Sequence, residues 1–412
     1  MGLTFLLMVA GPAEVFAQWV RLNSGTTDEL DGVFFTDANT GYAVGMDSVT
    51  FRGLVLKTTN GGNSWTSLGV SCMIAQSPYF TDANTGYVAA YDTLLKTTNA
   101  GAAWSRYPIN MGLVMFGLTF YNSTIGYAAG INFPPSSTAA VLKTTDAGVS
   151  WTPHAIPVPS HFHPNAIFCT SANTCYLAGG YALKTTDGGT TWNTMNTPNI
   201  ADWSSVYFTS PTNGVIVGGN TGSGTIIRTT DGGTSWSTVY SATGFLSSVF
   251  FADVNTGYAA GWAAGPALRT TNGGITWAPQ TSPANSGIKW IHFPTPTTGY
   301  AVGNSGMIMK YTGPTDAPDE PAYLPTHFAL GQNYPNPFNP STTISYALPA
   351  DAHVTLKVYD VLGREVRTLV NDDSKVGTYE TRFDASGLAS GVYLYRLQAG
   401  GFVQSRELVL MK

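Results

Sequence analysis

The 412-residue chain is long enough for two or three domains and, at 43% hydrophobic content, for a sizeable core. Charged residues make up only 10%, against roughly 25% in ordinary soluble proteins, and a net charge of −5 supplies no basic stripe of the kind nucleic-acid binding requires. No stretch reaches the about 18 apolar residues that a membrane-spanning helix needs, while 46 glycines and 12% aromatic residues favour short strands and tight turns over helices.

Residues 1–17 read as an export signal. Leu3 to Ala10 is a short apolar core, and "AEVFAQ" offers Val15 and Ala17 as the small residues before a cut ahead of Gln18. The segment lacks the usual Lys or Arg before its apolar run, and an ordinary buried strand is the alternative reading.

Seven related units follow. Gly-Tyr pairs or their relics fall at Gly41-Tyr42, Gly86-Tyr87, Gly126-Tyr127, Cys175-Tyr176, Gly214-Val215, Gly257-Tyr258 and Gly299-Tyr300. Closing tryptophans stand at Trp65, Trp104, Trp151, Trp192, Trp236 and Trp277, spaced 39 to 47 apart. A period in the low forties with several short β-runs per unit is the mark of propeller blades. The first unit divides into "GVFFT" (strand A), "DANTG" (turn), "YAVG" (strand B), "VLKTT" (strand C), "NGGNS" (turn) and "WTSLG" (strand D). Short Asn and Asp side chains close such turns by bonding to nearby backbone, and Gly takes the left-handed conformation without steric conflict.

The closing stretch of the seventh unit starts with Lys310, runs into Gly313-Pro314 and supplies no tryptophan. The counterpart of its strand D is "QWVRLNSG" at 18–25, where Trp19 stands as Trp65 stands in "SWTSLG". The expectation is a ring over 18–313 that the N-terminal strand closes, because an open ring would leave an unpaired sheet edge.

On the strength of these repeats the chain resembles two known groups. The Thr-x-(Asp/Asn)-x-Gly-x-x-Trp turn is similar to the Asp-box of sialidases and related propellers. The tandem "GYAVG…VLKTTNGGNSW" resembles the photosystem II assembly-factor type of propeller, whose relatives occur in secreted bacterial proteins. Three boxes carry Asp (Asp146, Asp187, Asp231) and three carry Asn (Asn60, Asn99, Asn272), a swap that keeps turn-making and points to a structural role rather than to a ligand or metal.

Residues 314–326, "PTDAPDEPAYLPT", read as a Pro- and acid-rich linker. From 327 to 412 the repeats are gone and charge is denser. Alternation in "HVTLKVYDV" and "GVYLYRL", with roughly seven such runs, predicts a small Ig-like β-sandwich. "FALGQNYPNPFNPSTTISYALP", "VTLKVYDVLGREVRTLV", "GTYETRFDASGLASGVYLYRLQAGG" and "RELVLMK" resemble the type IX secretion C-terminal sorting domain, type A. That resemblance implies passage of folded cargo through the periplasm and an outer-membrane translocon, with the sorting machinery as partner. It carries the sorting signal onto Gly391, Tyr393 and Lys412. A plain Ig-like binding module is the alternative.

Within the repeats, strand A places Phe35, Phe80, Phe120, Phe208, Phe251 and Phe293 six residues before the Gly of Gly-Tyr. Unit four alone has Cys169 there and alone replaces that Gly by Cys175, a paired change that predicts a disulfide across the turn. Cys72 is left over and expected to be buried. Seven of the eleven cations before 321 are the repeated residue of strand C (Lys57, Lys96, Lys143, Lys184, Arg228, Arg269, Lys310), leaving Arg21, Arg52, Arg106 and Lys289. That is a poor arginine cluster for a sialidase, and Glu29 is the only Glu of the predicted ring. Outside the repeated turns Asp28, Asp31, Asp47, Asp92 and Asp202 remain, without a pair singled out for the two-carboxylate chemistry of a glycosidase. "HFH" at 161–163 is a metal half-site without an evident third ligand, and "GGNTGSG" at 218–224 precedes a strand rather than a helix. No metal site and no cofactor are expected.

The B–C and D–A connections vary in length and sequence and share one face of the predicted ring. They carry Phe51, Tyr91, Phe133, Phe162, Trp203, Trp262 and Trp290, aromatics suited to stacking on sugars or packing on a protein. For any one of them, packing within the rim is the plain alternative. The expectation is an all-β protein, a seven-bladed β-propeller plus a small Ig-like β-sandwich, secreted or displayed on the outer cell surface. Its expected work is non-catalytic recognition of a glycan or surface protein. The alternatives are a glycan-degrading hydrolase and a passive surface-layer structural protein.

Overall fold

A computed structural model describes residues 18–132, 138–156, 162–198, 200, 202–220, 222–262, 267–280, 287–313, 328–333 and 336–411. The predicted signal at 1–17 and the linker at 314–326 lie outside the described residues. Every regular element among the described residues is a strand. Residues 18–313 form seven four-stranded antiparallel sheets, in six of which the strands follow chain order. The innermost strands (A) are Glu29–Phe35, Ser77–Phe80, Leu113–Phe120, Pro164–Cys169, Asp202–Phe208, Leu246–Phe251 and Ile288–Thr295. Each packs against the A strands of the blades before and after it, and Ile288–Thr295 returns to Glu29–Phe35, so the blades form a closed circle.

The exceptional sheet closes it. Gln18–Leu22 pairs antiparallel with Met307–Thr312, with Gln18 opposite Thr312 and Trp19 opposite Tyr311. Trp19 is 3% exposed, meets Phe293 edge-on at 5.9 Å and tilts over Tyr311 at 5.3 Å.

The repeated residues have physical roles. Gly41 lies opposite Phe35 across the A–B pair, and a Cβ on it would stand 2.5 Å from the Phe35 ring. The glycine therefore makes room for a ring that stacks on Tyr300 of blade seven at 3.5 Å and meets Trp65 edge-on at 5.9 Å. Tyr42–Phe80, Tyr87–Phe120, Tyr176–Phe208 and Tyr258–Phe293 repeat that inter-blade stack. In blade four Cys169 and Cys175 occupy the Phe and Gly positions, are register partners, and form a disulfide.

In blades one, two, four and seven the strand C lysine and the strand B tyrosine latch onto one carbonyl of the next blade. Lys57 Nζ and Tyr42 Oη both donate to the carbonyl of Ala100 (2.7 and 2.8 Å), and Lys184 and Tyr176 do the same to Gly232 (2.7 and 3.0 Å). The residue offering its carbonyl sits in the left-handed region, as at Ala100 (φ 55°) and Gly232 (φ 69°), which turns its oxygen toward the neighbour. Lys310 and Tyr300 of blade seven reach Gly61 of blade one, completing the circle a second time. Blade seven has no C–D turn to offer blade six. Accordingly Arg269 Nε is buried without a hydrogen-bond partner, and Tyr258 settles for the Pro296 carbonyl at 3.4 Å.

Residues 328–411 form a second unit. A three-stranded sheet (Ala329–Leu330, Ser341–Leu348, Gly377–Asp384) accompanies a four-stranded one ordered Glu365–Ser374, Ala352–Tyr359, Gly391–Ala399, Phe402–Leu410. Val354, Leu356, Tyr395, Leu397 and Leu408 are fully buried in their common core with Ile344 and Phe383.

Candidate functional site

The two faces of the ring differ in chemistry. On the face of the A–B and C–D turns, the carboxylates are consumed by the turns themselves. Asp146 Oδ1 accepts from Thr144 Oγ1 (2.8 Å) and the Ser150 amide (2.9 Å), while Oδ2 accepts from Ser150 Oγ. Hydrogen bonds from Ser150 hold the Asp146 carboxyl at about 2, and those from Thr191 hold Asp187 there as well. Asn60 makes the same turn with its amide, accepting from Thr58 Oγ1 and the Ser64 amide and donating to Ser64 Oγ. Asp and Asn interchange because each needs only two acceptor contacts and one link to a hydroxyl.

The opposite face begins at the starts of the A strands, where a bulge recurs. The register slips at Asp31, Phe116, Asn165, Ser204, Ser247 and Lys289, one residue in every blade but the second. An inserted residue leaves the ladder and is free to aim elsewhere. Here several reach the next blade. Lys289 of blade seven contacts Asp31 (2.6 Å) and Glu29 (3.2 Å) of blade one, and Gln76 of blade two donates to Asp31 at 3.4 Å. Asn165 Nδ2 of blade four donates to both Asp202 oxygens and the Trp203 carbonyl of blade five, each at 3.0 Å.

Burial raises the Asp31 carboxyl against the pull of Lys289. Burial likewise raises Asp202, against its bonds from Asn165 and the charge of His163. Burial draws the Lys289 ammonium down, but Asp31 and Glu29 outweigh it and leave the group above its ordinary value. This cluster was invisible in the sequence, since Lys289 lies 258 positions from Asp31 and 260 from Glu29. The available signal was that Lys289 is one of four cations outside the repeat and Glu29 the lone Glu.

Of the aromatic candidates, Phe51 (48% exposed) and Trp262 (46%) face solvent and Tyr91 is half-buried. Phe162 and Trp203 do not present a surface: they are 3% and 1% exposed, packed in inter-blade cores. Both belong to D–A segments that turn inward as strand A begins, so loop position misled. Trp290 is half-buried and packs against the blade one and seven core with Leu22 and Leu54. Phe133 lies outside the described residues, as does His161 of the "HFH" stretch. The sequence reading missed Tyr181, 45% exposed above Phe162, and Val49, Met73 and Met111, exposed at 83%, 47% and 39%.

Phe51, Met73, Tyr91 and Met111 belong to one ridge over blades one and two. Backbone bonds zip the loops together: the Ile74 amide donates to Phe51, Tyr91 to Met73, and Ile109 to Asp92. Asp47 Oδ1 caps the amides of Val49 and Thr50, and Asp92 Oδ1 caps those of Met111 and Gly112. Four of the seven non-glycine residues with positive φ among the described residues lie here, Phe51 (56°), Ile74 (48°), Asp92 (48°) and Asn110 (58°). A bulky residue in that region is strained, and strain of this kind gathers where surroundings over-determine a surface. Cys72 lies beneath, its thiol pushed up to about 11 by burial and therefore unreactive.

In the second unit, Gly391 opens its strand and is exposed, with nothing within 4 Å of a would-be Cβ. Tyr393 is 9% exposed and donates to the Ala389 carbonyl at 2.8 Å, a core position. Lys412 lies outside the described residues.

The fold and its closed circle of four-stranded sheets define a β-propeller with an appended β-module. Residues 332–411 match the family model described as the secretion system C-terminal sorting domain, and the module is a type IX sorting domain. The protein is thus exported to the cell surface or secreted. Among solved structures the chain is similar to one described as YCF48 bound to D1 peptide, at 20% identity and TM-score 0.57, over 74% of this chain and 99% of that one. It is also similar to PorZ, a surface component of the type IX secretion system of Porphyromonas gingivalis, at 16% identity and TM-score 0.50, over 95% of this chain and 60% of that one. An ancestral GH74 enzyme is similar at 13% identity and TM-score 0.53, over 95% and 63%. Among the curated proteins no sequence matches the chain. No helix among the described residues is long and apolar enough to cross a membrane, and no group of three or more His, Cys, Asp or Glu among them is placed to hold a metal ion.

Proposed function

We propose that the propeller is a non-catalytic recognition module, carried to the cell surface by its sorting domain, that binds a surface protein through the ridge of blades one and two. The observation that carries this reading is the ridge itself. Val49, Phe51, Met73 and Met111 are exposed together on loops that are zipped, capped and strained into one conformation. Pre-organised apolar anchors of this kind bind with little ordering penalty. A mixture of methionine, valine and aromatic side chains fits a protein better than a sugar, whose hydroxyls need polar partners beside the stacking ring. That a YCF48 structure holds a peptide is in keeping with a peptide-binding role for this class of propeller.

The test uses the full chain immobilised and exposed to proteins shaved from the surface of producing cells, with a glycan array in parallel. Capture of a defined protein that falls at least tenfold in the Phe51→Ser, Met73→Ser, Tyr91→Ser triple variant is expected. Capture that the triple variant leaves intact would refute the ridge as the binding surface.

A glycan-degrading activity is the second reading, and one observation favours it. Asp31 and Asp202 are both desolvated, and burial raises each carboxyl from its ordinary value, the direction a general acid needs. Turnover of chromogenic glycosides that is lost in Asp202→Asn or Asp31→Asn would establish it over recognition.

A further inference from the structure

The sorting module has an exposed feature that neither its core nor the propeller explains. The turn Asp360–Arg364 joins strands Ala352–Tyr359 and Glu365–Ser374 and carries Val361 and Leu362, 69% and 74% exposed. Among the described residues only Val49, of the large hydrophobic side chains, is more exposed than this pair. The turn is stiff. Asp360 Oδ1 accepts from the amides of Leu362 (2.9 Å) and Arg364 (3.0 Å), and Oδ2 accepts from Arg364 Nε (2.7 Å). The Asp360 amide donates back to the Arg364 carbonyl and the Gly363 amide to that of Asp360. Gly363 takes φ 78°, a left-handed conformation that keeps the turn tight and holds the aliphatic pair outward.

The surroundings extend this apolar tip. Tyr359 pairs with Leu394, and Val392 with Val409, so all four lie at the same end of the sheet as the turn. Alternation directs Val392 (43% exposed), Leu394, Tyr359 and Val409 away from the module's core. Two cations beside the turn are paired with carboxylates, while Arg367 is held by the Asp384 carbonyl at 3.0 Å and the Phe383 ring. Asp360 holds Arg364 at 2.7 Å, Lys357 holds Glu365 at 2.8 Å, and the Arg396 guanidinium lies over the Tyr359 ring at 5.1 Å. The apex of the turn itself presents the aliphatic pair Val361 and Leu362.

Position narrows the reader further. The chain enters the module at Phe328, which stacks on Phe402 at 5.4 Å. Phe402 begins the last strand, pairing with Ala399, whereas the Gly391–Leu410 pair lies at its other end. The tether to the propeller and the Val361–Leu362 turn therefore occupy opposite poles, separated by a nine-residue strand, or about 30 Å at 3.3 Å per residue. The final described residues, Leu410 and Met411, end at the same pole as the turn.

We infer that the Val361–Leu362 turn is the element by which a protein of the type IX secretion machinery grasps this chain, seating the two side chains in an apolar cleft. The module's business is to be read by that machinery, and the turn is its most exposed apolar point among the described residues, rigid before contact and at the pole opposite Phe328, where the chain enters the module. The turn's own cation, Arg364, is held by Asp360, so the turn itself presents no unpaired cation of the kind an anionic lipid surface selects for. A preformed apolar knob suits a protein pocket.

The test expresses the full chain in a bacterium with a working type IX system and measures the protein at the surface and in the medium against that kept in the periplasm. Val361→Ser with Leu362→Ser is expected to lower export at least tenfold, with full-length protein retained in the periplasm and an unchanged melting temperature for the purified chain. Val361→Ile with Leu362→Met keeps the knob apolar and is expected to export normally, which separates loss of contact from misfolding. Val403→Ser, at the opposite pole and 57% exposed, is expected to have no effect. Normal export of the double-serine variant would overturn the inference, as would equal loss from Val403→Ser or failure of the Ile/Met variant. Flotation of the purified chain with vesicles that the serine pair abolishes would replace the protein cleft by a lipid. Removal of residues 327–412 is the control for the sorting role itself: export without the module would remove that role, whatever the turn does.

Discussion

Replacing Trp19 by Ala tests how the circle is closed. The side chain is 3% exposed, touches Phe293 and Tyr311, and belongs to a strand joined to its blade only by backbone pairing and side-chain packing. Burying 150–250 Å² of aromatic surface at about 25 cal/mol per Å² gives about 4–6 kcal/mol, and large-to-small aromatic truncations measure about 3–5 kcal/mol. A loss of about 4 kcal/mol is therefore expected. Trp65 is the internal control, because it holds the equivalent place in blade one but is only half-buried, with one edge contact to Phe35. Its truncation should destabilise by about half as much, roughly 2 kcal/mol. Urea unfolding of a chain starting at Gln18, followed by far-ultraviolet circular dichroism, reads both. In addition, Trp19→Ala should open the ring edge and hasten proteolysis between blades one and seven. A shift for Trp19→Ala no larger than that for Trp65→Ala, or below about 1 kcal/mol, would mean that the first strand is not what holds the circle shut.

Three further outcomes follow from the repeats. Breaking the blade-four bridge by Cys175→Ala should destabilise by about 2 kcal/mol. Restoring the common pair with Cys169→Phe and Cys175→Gly should recover most of that loss, read as the urea midpoint. Gly41→Ala should lower stability by about 1–3 kcal/mol through collision with the Phe35 ring, whereas Gly69→Ala, open on all sides but left-handed, should lose less. Acid should act through two groups with separable windows. Asp146 and Asp187 are depressed to about 2 from 3.8, so their stabilisation is present above 3.8 and lost as pH falls toward 2; changing both to Asn should flatten that limb of a melting-temperature profile. The buried His292 imidazole is lowered to about 3 from 6.5, so stability should already decline as pH drops below 6.5, and His292→Phe should abolish that earlier decline.

The sequence exposed whatever the repeats hold in common and hid whatever one blade does alone. The Phe–Gly pair and its cysteine replacement could be read because six copies set the standard against which blade four departs. Trp19 stood out as the tryptophan missing from the seventh unit. Lys57 and its equivalents were visible as a pattern, yet their purpose was not, because each bonds a carbonyl on another blade, 43 residues away for Lys57. The Lys289–Glu29–Asp31 contact was beyond reach for the same reason at greater distance. Phe162 and Trp203 were misplaced because a variable connection and the first turn of an inward strand look alike in composition. Only the bulge at Asn165 and Ser204 shows where one becomes the other.

The pairing of Gln18 with Thr312 has a last consequence for the life of the molecule outside the cell. All strands of the circle precede Gly313, so cleavage anywhere in the tether would discard the export module without taking a single strand from the propeller. The clasp is built from the opposite terminus and survives the cut. A released propeller should therefore be as stable as the tethered one, and delivery and persistence can be governed separately.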